Sequence, residues 1–388
     1  MRRIATIGTG LALLGLATLA AAHNHEGDGR TGPPTAPAGA ATPAAATGQG
    51  AANWVPPGTP GSPIDGTIFH AQVLLDAAGF PSGVIDGKKG KVFEQAVRGF
   101  QQARGLRQTG QLDRATRAAL MQDRRPSTRM LRLTGTDVGG PFVYPFPEDA
   151  ADQAKLKGLF YRNMLEKLAE RFHTTPQTIV ALNGPDKLIG PGQVLRLPNV
   201  LPRSRDFAGA NDEAQQRLLN FFNVDANQPR GDFVVVDESE GVMRVYAGEV
   251  PEGQYSTENN PGPAPRLSDT PGQLVAQFPV TMGSARYPLP IGRWKVTTYA
   301  FDPPFNFQPE LLQGTDENDT QQMLPPGPNG PVGVAWLDLT KEHYGIHGTN
   351  SPETIGRAES SGCIRLSNWD VVRLSRIMRP GFTAIFQS

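Results

Sequence analysis

The stretch S-S-G-C-I-R-L-S-N (Ser360 to Asn368) holds the chain's one cysteine, and I-H-G-T-N (Ile346 to Asn350) precedes it, with His347 sixteen positions before Cys363. Both motifs are flanked by glycine and lie in a loop-rich stretch of β type. The chain opens with M-R-R-I-A-T-I-G-T-G-L-A-L-L-G-L-A-T-L-A-A-A. Two arginines, an apolar run and a small-residue end are the three parts of an export signal. Exported proteins use cysteines in pairs, so a single one is a reactive thiol or half of an intermolecular bridge. Cys363 beside His347 reads as a nucleophile and its base; the competing reading is a buried structural cysteine and a satisfied core histidine.

The segment carrying these motifs, 231–388, alternates like a β protein. Phe233 to Val236, Val242 to Tyr246, Leu274 to Val280 and Trp294 to Tyr299 are rich in β-branched and aromatic residues, as strands are. Pro251 to Pro271 is polar and proline-rich, an expected surface loop. Phe301 to Gly330 is too long for a mere connection, which points to a lid or substrate wall.

A free thiol is only a few per cent thiolate at neutral pH, and lowering its pKa to about 6 raises that fraction roughly thirtyfold. Enzymes accelerate reactions by at least ~10⁶, so most of the gain must come from elsewhere. A general base such as His347 supplies about 10²–10⁴. A backbone donor to the developing oxyanion supplies about 10²–10³, and Gly362 permits the unusual backbone that such a donor needs. No acidic residue adjoins His347 in sequence, so a backbone carbonyl or a distant carboxylate is its expected orienter. The sulfur is expected to be ionised and shielded beside the imidazole. His343, four residues earlier, would lie about 13 Å away along a strand, too far to share a metal; it reads as an edge residue.

Upstream, 1–22 is the expected signal peptide, with cleavage after Ala22; an uncleaved membrane anchor is the alternative. Residues 23–62 are rich in Ala, Gly, Pro and Thr and read as a disordered linker. Over 63–122, Phe69, Val73, Leu74 and Ala77, then Phe93, Ala96, Val97 and Phe100, repeat at helical spacing. A third short helix follows, with Asp113 as its N-cap. The pieces Ile85-Asp86-Gly87, Gly90, Ala96-Val97, Phe100-Gln101, Gly105-Leu106, Thr109-Gly110, Thr116 and Leu120 resemble the peptidoglycan-binding domain of cell-wall hydrolases and transferases.

Over 130–200, Leu165, Leu168, Ala169 and Phe172 form one helix face and Thr175 caps a second helix, before I-G-P-G-Q-V-L-R-L-P (Ile189 to Pro198). This order resembles the second half of a LysM glycan-binding module without its usual opening strand; a spacer is the alternative. His173 is expected at a helix end as a solvent-facing cation.

The order His347 before Cys363 is the reverse of papain-like cell-wall endopeptidases. It resembles the catalytic domain of the bacterial L,D-transpeptidases, as do F-P-V-T-M-G (Phe278 to Gly283), P-L-P-I-G-R-W (Pro288 to Trp294) and L-P-P-G-P-N-G-P-V-G (Leu324 to Gly333). One departure is Ser361, where many members carry histidine. The resemblance implies a multidomain α+β chain: a three-helix wall-binding domain, the LysM-like segment, and a mostly β, sandwich-like catalytic domain.

The resemblance also implies the reaction. Cys363 would attack a tetrapeptide stem at its third residue, release D-Ala, and pass the acyl group to an amine of another stem. His347 would be base and acid, and the Gly362 backbone the oxyanion hole. Ser361, Arg365, Gly348, Thr349, Asn350 and Tyr344 would meet the substrate, Thr349 and Asn350 (with Asn368) fixing the loop rather than reacting, while Arg365 would hold a substrate carboxylate, brace the loop or form an ordinary structural salt bridge; no metal or organic cofactor is needed. The partners would be stem peptides and glycan strands, with carbapenem β-lactams as inhibitors. Attachment of an outer-membrane protein to the wall, or hydrolysis of that link, would use the same acyl-enzyme. A non-catalytic wall-binding scaffold is the alternative of a different class. The expected location is the periplasm or cell envelope. Acidic and basic residues are equal in number, 37 each, so no basic stripe suggests a nucleic-acid partner.

Overall fold

The structure is a computed structural model that describes residues 55–210, 212–257, 260, 272–284, 287–312, 315, 319–357 and 362–388. The expected signal peptide, most of the linker and Ser361 lie outside the described residues. Among those described, no helix is long and apolar enough to cross a membrane.

Three helices open the fold: α1 (Gly66–Ala77), α2 (Lys91–Ala103) and α3 (Arg114–Leu120). The Asp65 carboxylate accepts from the Thr67 and Ile68 amides to start α1, and Gly79, at φ +88°, lets the chain turn away from its end. Asp113 caps α3 by accepting from the Thr116 amide. Fully buried Gln101 ties the module together. Its amide nitrogen donates to Thr109 Oγ1 and Thr116 Oγ1, and its oxygen accepts from the Gly110 amide. The scattered Gln, Thr-Gly and Thr of the motif are thus one hydrogen-bonded hub.

The next module begins with β1 (Thr128–Arg132), followed by the short helices α4 (Gly135–Val138) and α5 (Ala150–Gln153). Then come α6 (Met164–Arg171), α7 (Pro176–Asn183) and β2 (Val194–Pro198). Strands β1 and β2 pair antiparallel, with Thr128 opposite Pro198. An opening strand therefore exists; it lies well ahead of α6, beyond the reach of a short motif. Asn163 and Thr175 cap α6 and α7. Leu168, Phe172, Ile179 and Leu182 pack with Ile64, Phe69, Val73 and Ile85, so the first two modules share one apolar core.

After α8 (Glu213–Phe221) come β3 (Phe233–Asp237), β4 (Val242–Ala247), β5 (Gln273–Pro279), β6 (Gly292–Phe301), β7 (Phe305–Phe307), β8 (Gln322–Leu324), β9 (Ala335–Leu339), β10 (Gly345–His347), β11 (Ile364–Arg365), α9 (Asn368–Ile377) and β12 (Thr383–Gln387). Eight of these strands form one mixed sheet in the order β11-β10-β9-β6-β12-β3-β4-β5. A bridge between Thr281, just past β5, and Arg365 in β11 joins the two ends of that order. The sheet therefore curls until its edges meet, which removes most of the exposed edge.

The modules are not beads on a string. The described residues fall in one compact unit. The Gln277 amide of β5 donates to the Gly79 carbonyl and its side chain to the Gln95 carbonyl of α2. Leu74, Phe80, Phe93 and Phe100 sit in the same core as Val234, Ala276 and Trp369.

His173 corrects an expectation. It is fully buried at φ +56°, not solvent-facing. Its Nδ1 lies 3.1 Å from Asp76 Oδ1 and its Nε2 lies 2.7 Å from the Phe222 carbonyl, while its ring stacks on Trp369 at 5.0 Å. Arg373 of α9 donates to both Asp76 oxygens, at 3.2 and 3.0 Å. Burial pushes the Asp76 carboxyl up, but Arg373 and His173 outweigh it and hold the group well below the usual range. Helical spacing around His173 cannot reveal this, because its partners come from α1, from Phe222 just past α8, and from α9.

Candidate active site

Strands β10 and β11 run parallel, with Ile346 opposite Ile364 and His347 opposite Arg365. Continuing that register places Cys363 opposite Gly345. Alternation along the paired strands puts Arg365 and His347 on one face, and Cys363 immediately precedes β11 in the bend after Gly362. A lateral spacing of about 4.8 Å and two steps of about 3.3 Å separate the Cα atoms of Cys363 and His347 by ~8 Å. The edge-closing bridge fixes β11, since Thr281 and Arg365 exchange both backbone hydrogen bonds, at 3.1 and 2.8 Å.

His347 is buried, and its Nδ1 lies 2.7 Å from the Gly348 carbonyl. A carbonyl only accepts, so Nδ1 carries the proton and the neutral ring keeps its lone pair on Nε2. Trp336 of β9 stacks on the ring at 5.2 Å and 15°. Gly345 has to be glycine, because a Cβ there would come within 2.3 Å of the Trp336 ring. Burial above all, then the charge of Arg365, pulls the imidazole pKa down to about 3, against the opposing effect of the Gly348 hydrogen bond.

Cys363 is partly buried, and its Sγ lies 3.7 Å from the His343 carbonyl. Burial pushes the thiol up, and a Gly345 backbone hydrogen bond and Arg365 offset only part of that. Both shifts favour the uncharged forms of the thiol and the imidazole. The expectation of an ionised sulfur is corrected here: low dielectric disfavours both charges at once.

Gly362 stands at φ +98°, and a Cβ on it would come within 2.6 Å of the Tyr344 ring. Backbone and space both require glycine. Tyr344 thus covers the turn before the thiol. Thr349 and Asn350 hold the following loop, with Thr349 Oγ1 accepting from the Ser351 amide and Asn350 Oδ1 lying 3.1 Å from Ser351 Oγ. His343 sits exposed in a turn at φ +62°.

Two cavities lie beside this face. One of about 550 Å³ is lined by Pro303, Pro304, Phe305, Trp336, His343 and Tyr344 among others. The other, of about 490 Å³, is lined by Phe307, Asn329, Thr349, Asn350 and Arg365 among others. Leu312 borders both. Described residues between Phe301 and Gly330, on and around the β7–β8 pair, therefore line both cavities. Among the described residues no carboxylate pairs with Arg365, and its Nε is buried without a hydrogen-bond partner.

Sequence reasoning missed Trp336 and the neighbours of Asn368. The alternation of V-A-W-L-D-L marks a strand, but nothing local says that its tryptophan faces His347.

Residues 265–386 match the family described as L,D-transpeptidase catalytic domain, and residues 67–120 match the family described as "Putative peptidoglycan binding domain". The chain thus carries both domains. Two curated relatives bear the name "Putative L,D-transpeptidase YkuD". The one from Bacillus licheniformis is 57% identical over 56 residues, 14% of this chain and 34% of its own length. The one from Bacillus subtilis is 57% identical over 54 residues, 14% of this chain and 33% of its own length. The chain spans about a third of the length of these relatives. A crystal structure of an L,D-transpeptidase from Xylanimonas cellulosilytica aligns over 82% of this chain and 92% of that one, at 15% identity and a TM-score of 0.31. L,D-transpeptidase 3 from Mycobacterium tuberculosis, solved with a faropenem-derived adduct, aligns over 40% of this chain and 60% of that one, at 18% identity and a TM-score of 0.27.

Proposed function

We propose that the protein is an exported cysteine L,D-transpeptidase that crosslinks peptidoglycan stem peptides. The observation that carries this is the His347 ring, tied through Nδ1 to the Gly348 carbonyl and with no partner on Nε2 among the described residues, on the strand that pairs with β11 directly after Cys363. Cys363 Sγ attacks the carbonyl joining the third residue of a tetrapeptide stem to its D-Ala. Its proton passes to His347 Nε2, and amides at the Gly362–Cys363 turn face the developing oxyanion. The C–N bond breaks, His347 returns the proton to the leaving amine, and free D-Ala departs. A side-chain amine of a second stem then attacks the thioester, loses a proton to His347, and releases the thiol.

Arg365, half-buried in the lining of the cavity that Thr349 and Asn350 share, suits a substrate carboxylate by its fixed charge and planar fork. The 67–120 module holds the enzyme to the wall, and the β1–α6–α7–β2 unit adds a glycan contact. The acceptor decides between stem crosslinking, attachment of an outer-membrane protein and hydrolysis.

Digestion of sacculi from cells with and without the protein, in a strain lacking other such enzymes, tests the reading. Crosslinks between third-position residues should appear with the wild-type chain and vanish with Cys363→Ala. Unchanged muropeptides would contradict it.

A further inference from the structure

Glu170 lies in α6, outside both matched domains, and is 5% exposed. Tyr161 Oη donates to its Oε2 at 2.8 Å. Asn368, the fully buried first residue of α9, donates through Nδ2 to both Glu170 oxygens, at 3.0 and 3.1 Å. The other end of that carboxamide reaches the active site. Asn368 Oδ1 accepts from the Val334 amide at 3.2 Å and presses on Gly348, where a Cβ would come within 2.2 Å of it. Gly348 is the residue whose carbonyl holds His347 Nδ1.

A carboxamide has a donor end and an acceptor end of nearly equal size, and only its partners decide which way it points. Glu170 offers acceptors alone when ionised and at least one when protonated. Together with the Pro328 carbonyl, which accepts from the same nitrogen at 3.2 Å, it turns the nitrogen of Asn368 toward α6 and its oxygen toward Val334 and Gly348. The same module holds the neighbouring loop: the Leu159 amide donates to the Pro326 carbonyl, the Asn329 amide to the Leu159 carbonyl, both at 2.9 Å, and Asn329 Nδ2 to the Phe160 carbonyl at 3.0 Å.

We propose that Glu170 is a positioning residue for His347, acting through the Asn368 carboxamide and the Gly348 carbonyl, so that the module between the two matched domains completes the active site. The inference deepens the reading of His347 as the base and rests on it.

The test uses the full-length chain with Glu170→Ala and Glu170→Gln, and two readouts. The first is the rate of Cys363 acylation by a carbapenem, with non-covalent retention on sacculi as the binding control. The second is the His347 Nδ1–H resonance, which needs no substrate. Glu170→Ala should slow acylation by about tenfold to a hundredfold, as expected for a displaced catalytic group, leave retention unchanged, and broaden or lose the Nδ1–H signal. Glu170→Gln, whose oxygen still accepts from Asn368, should restore both readouts. If Glu170→Ala does not fold, Glu170→Leu, of closer volume, takes its place.

An alanine variant with wild-type acylation and an intact Nδ1–H signal would overturn the inference. So would a glutamine variant that folds yet is as slow as alanine. A wild-type chain that is never acylated would contradict the functional reading instead, and the resonance would still decide the positioning role.

Discussion

Arg365 stands directly opposite His347 across the β10–β11 ladder, so a fixed cation faces the imidazole from the neighbouring strand. Burial is the larger reason that His347 resists protonation and Arg365 the next. Arg365→Gln should therefore raise the imidazole pKa, followed by NMR titration, and leave it below the ordinary histidine value because burial remains. A variant that titrates with the wild-type chain would show that the guanidinium does not act on the ring.

The neutral pair predicts an unusual pH dependence. Cys363 is pushed up and His347 down, so alkylation of the free enzyme should rise toward alkaline pH with no shoulder near neutrality. The midpoint should lie above the ordinary thiol value of about 8.5. Iodoacetamide rates across pH, read by intact mass, check this. A plateau reached at or below neutrality would mean that the thiolate–imidazolium pair exists at rest.

Gly348 carries two constraints in one residue. Its carbonyl orients His347, and a methyl on its Cα would meet Asn368 Oδ1 at 2.2 Å. Gly348→Ala should cost about 1–3 kcal/mol of stability, the usual range for overpacking. It should also slow acylation about a hundredfold by moving the base. Denaturant melts and acylation rates measure the two effects, and wild-type acylation would refute the second.

Buried carboxyls set the pH dependence of stability. Burial raises Glu170 to about 8, against its hydrogen bonds to Asn368 and Tyr161. Its contribution is full below the unfolded value of 4.5 and lost as pH rises toward 8. Asp370, raised by burial to about 6, acts in the same sense at lower pH. His347, lowered to about 3, opposes them: its contribution is full above its unfolded value of 6.5 and lost as pH falls. Asp76, held down by Arg373 and His173, likewise favours the folded state above 3.8 and loses that favour in acid. From pH 6.5 to 8, of these four groups, Glu170 alone still changes. The Tm should fall across that window in the wild-type chain and fall less in Glu170→Gln. Equal slopes would contradict the assignment.

Local pattern revealed what local forces decide. The apolar faces of α1 and α2, the caps Asp113 and Thr175, and strands β3 to β6 could be read because spacing and capping are properties of neighbours in sequence. The wall at Phe301 to Gly330 announced itself by length. Contacts across long separations stayed hidden. His173 looked like a helix-end cation because Asp76, Phe222 and Trp369 lie on other elements. Trp336 and Glu170 reach His347 only through strand register and module docking, which no short window encodes. The charge state of the thiol was also out of reach, since it depends on burial that only the folded chain creates.

If Cys363 works with His347 as its base, the sulfur takes up an acyl group that stays on the protein. Intact-mass analysis of the full-length chain after exposure to a carbapenem, followed by peptide mapping, tests it most directly. One adduct is expected, on the peptide containing Cys363, abolished by Cys363→Ala and formed far more slowly by His347→Ala. A folded wild-type chain that gains no mass, or an adduct that survives Cys363→Ala, would contradict it.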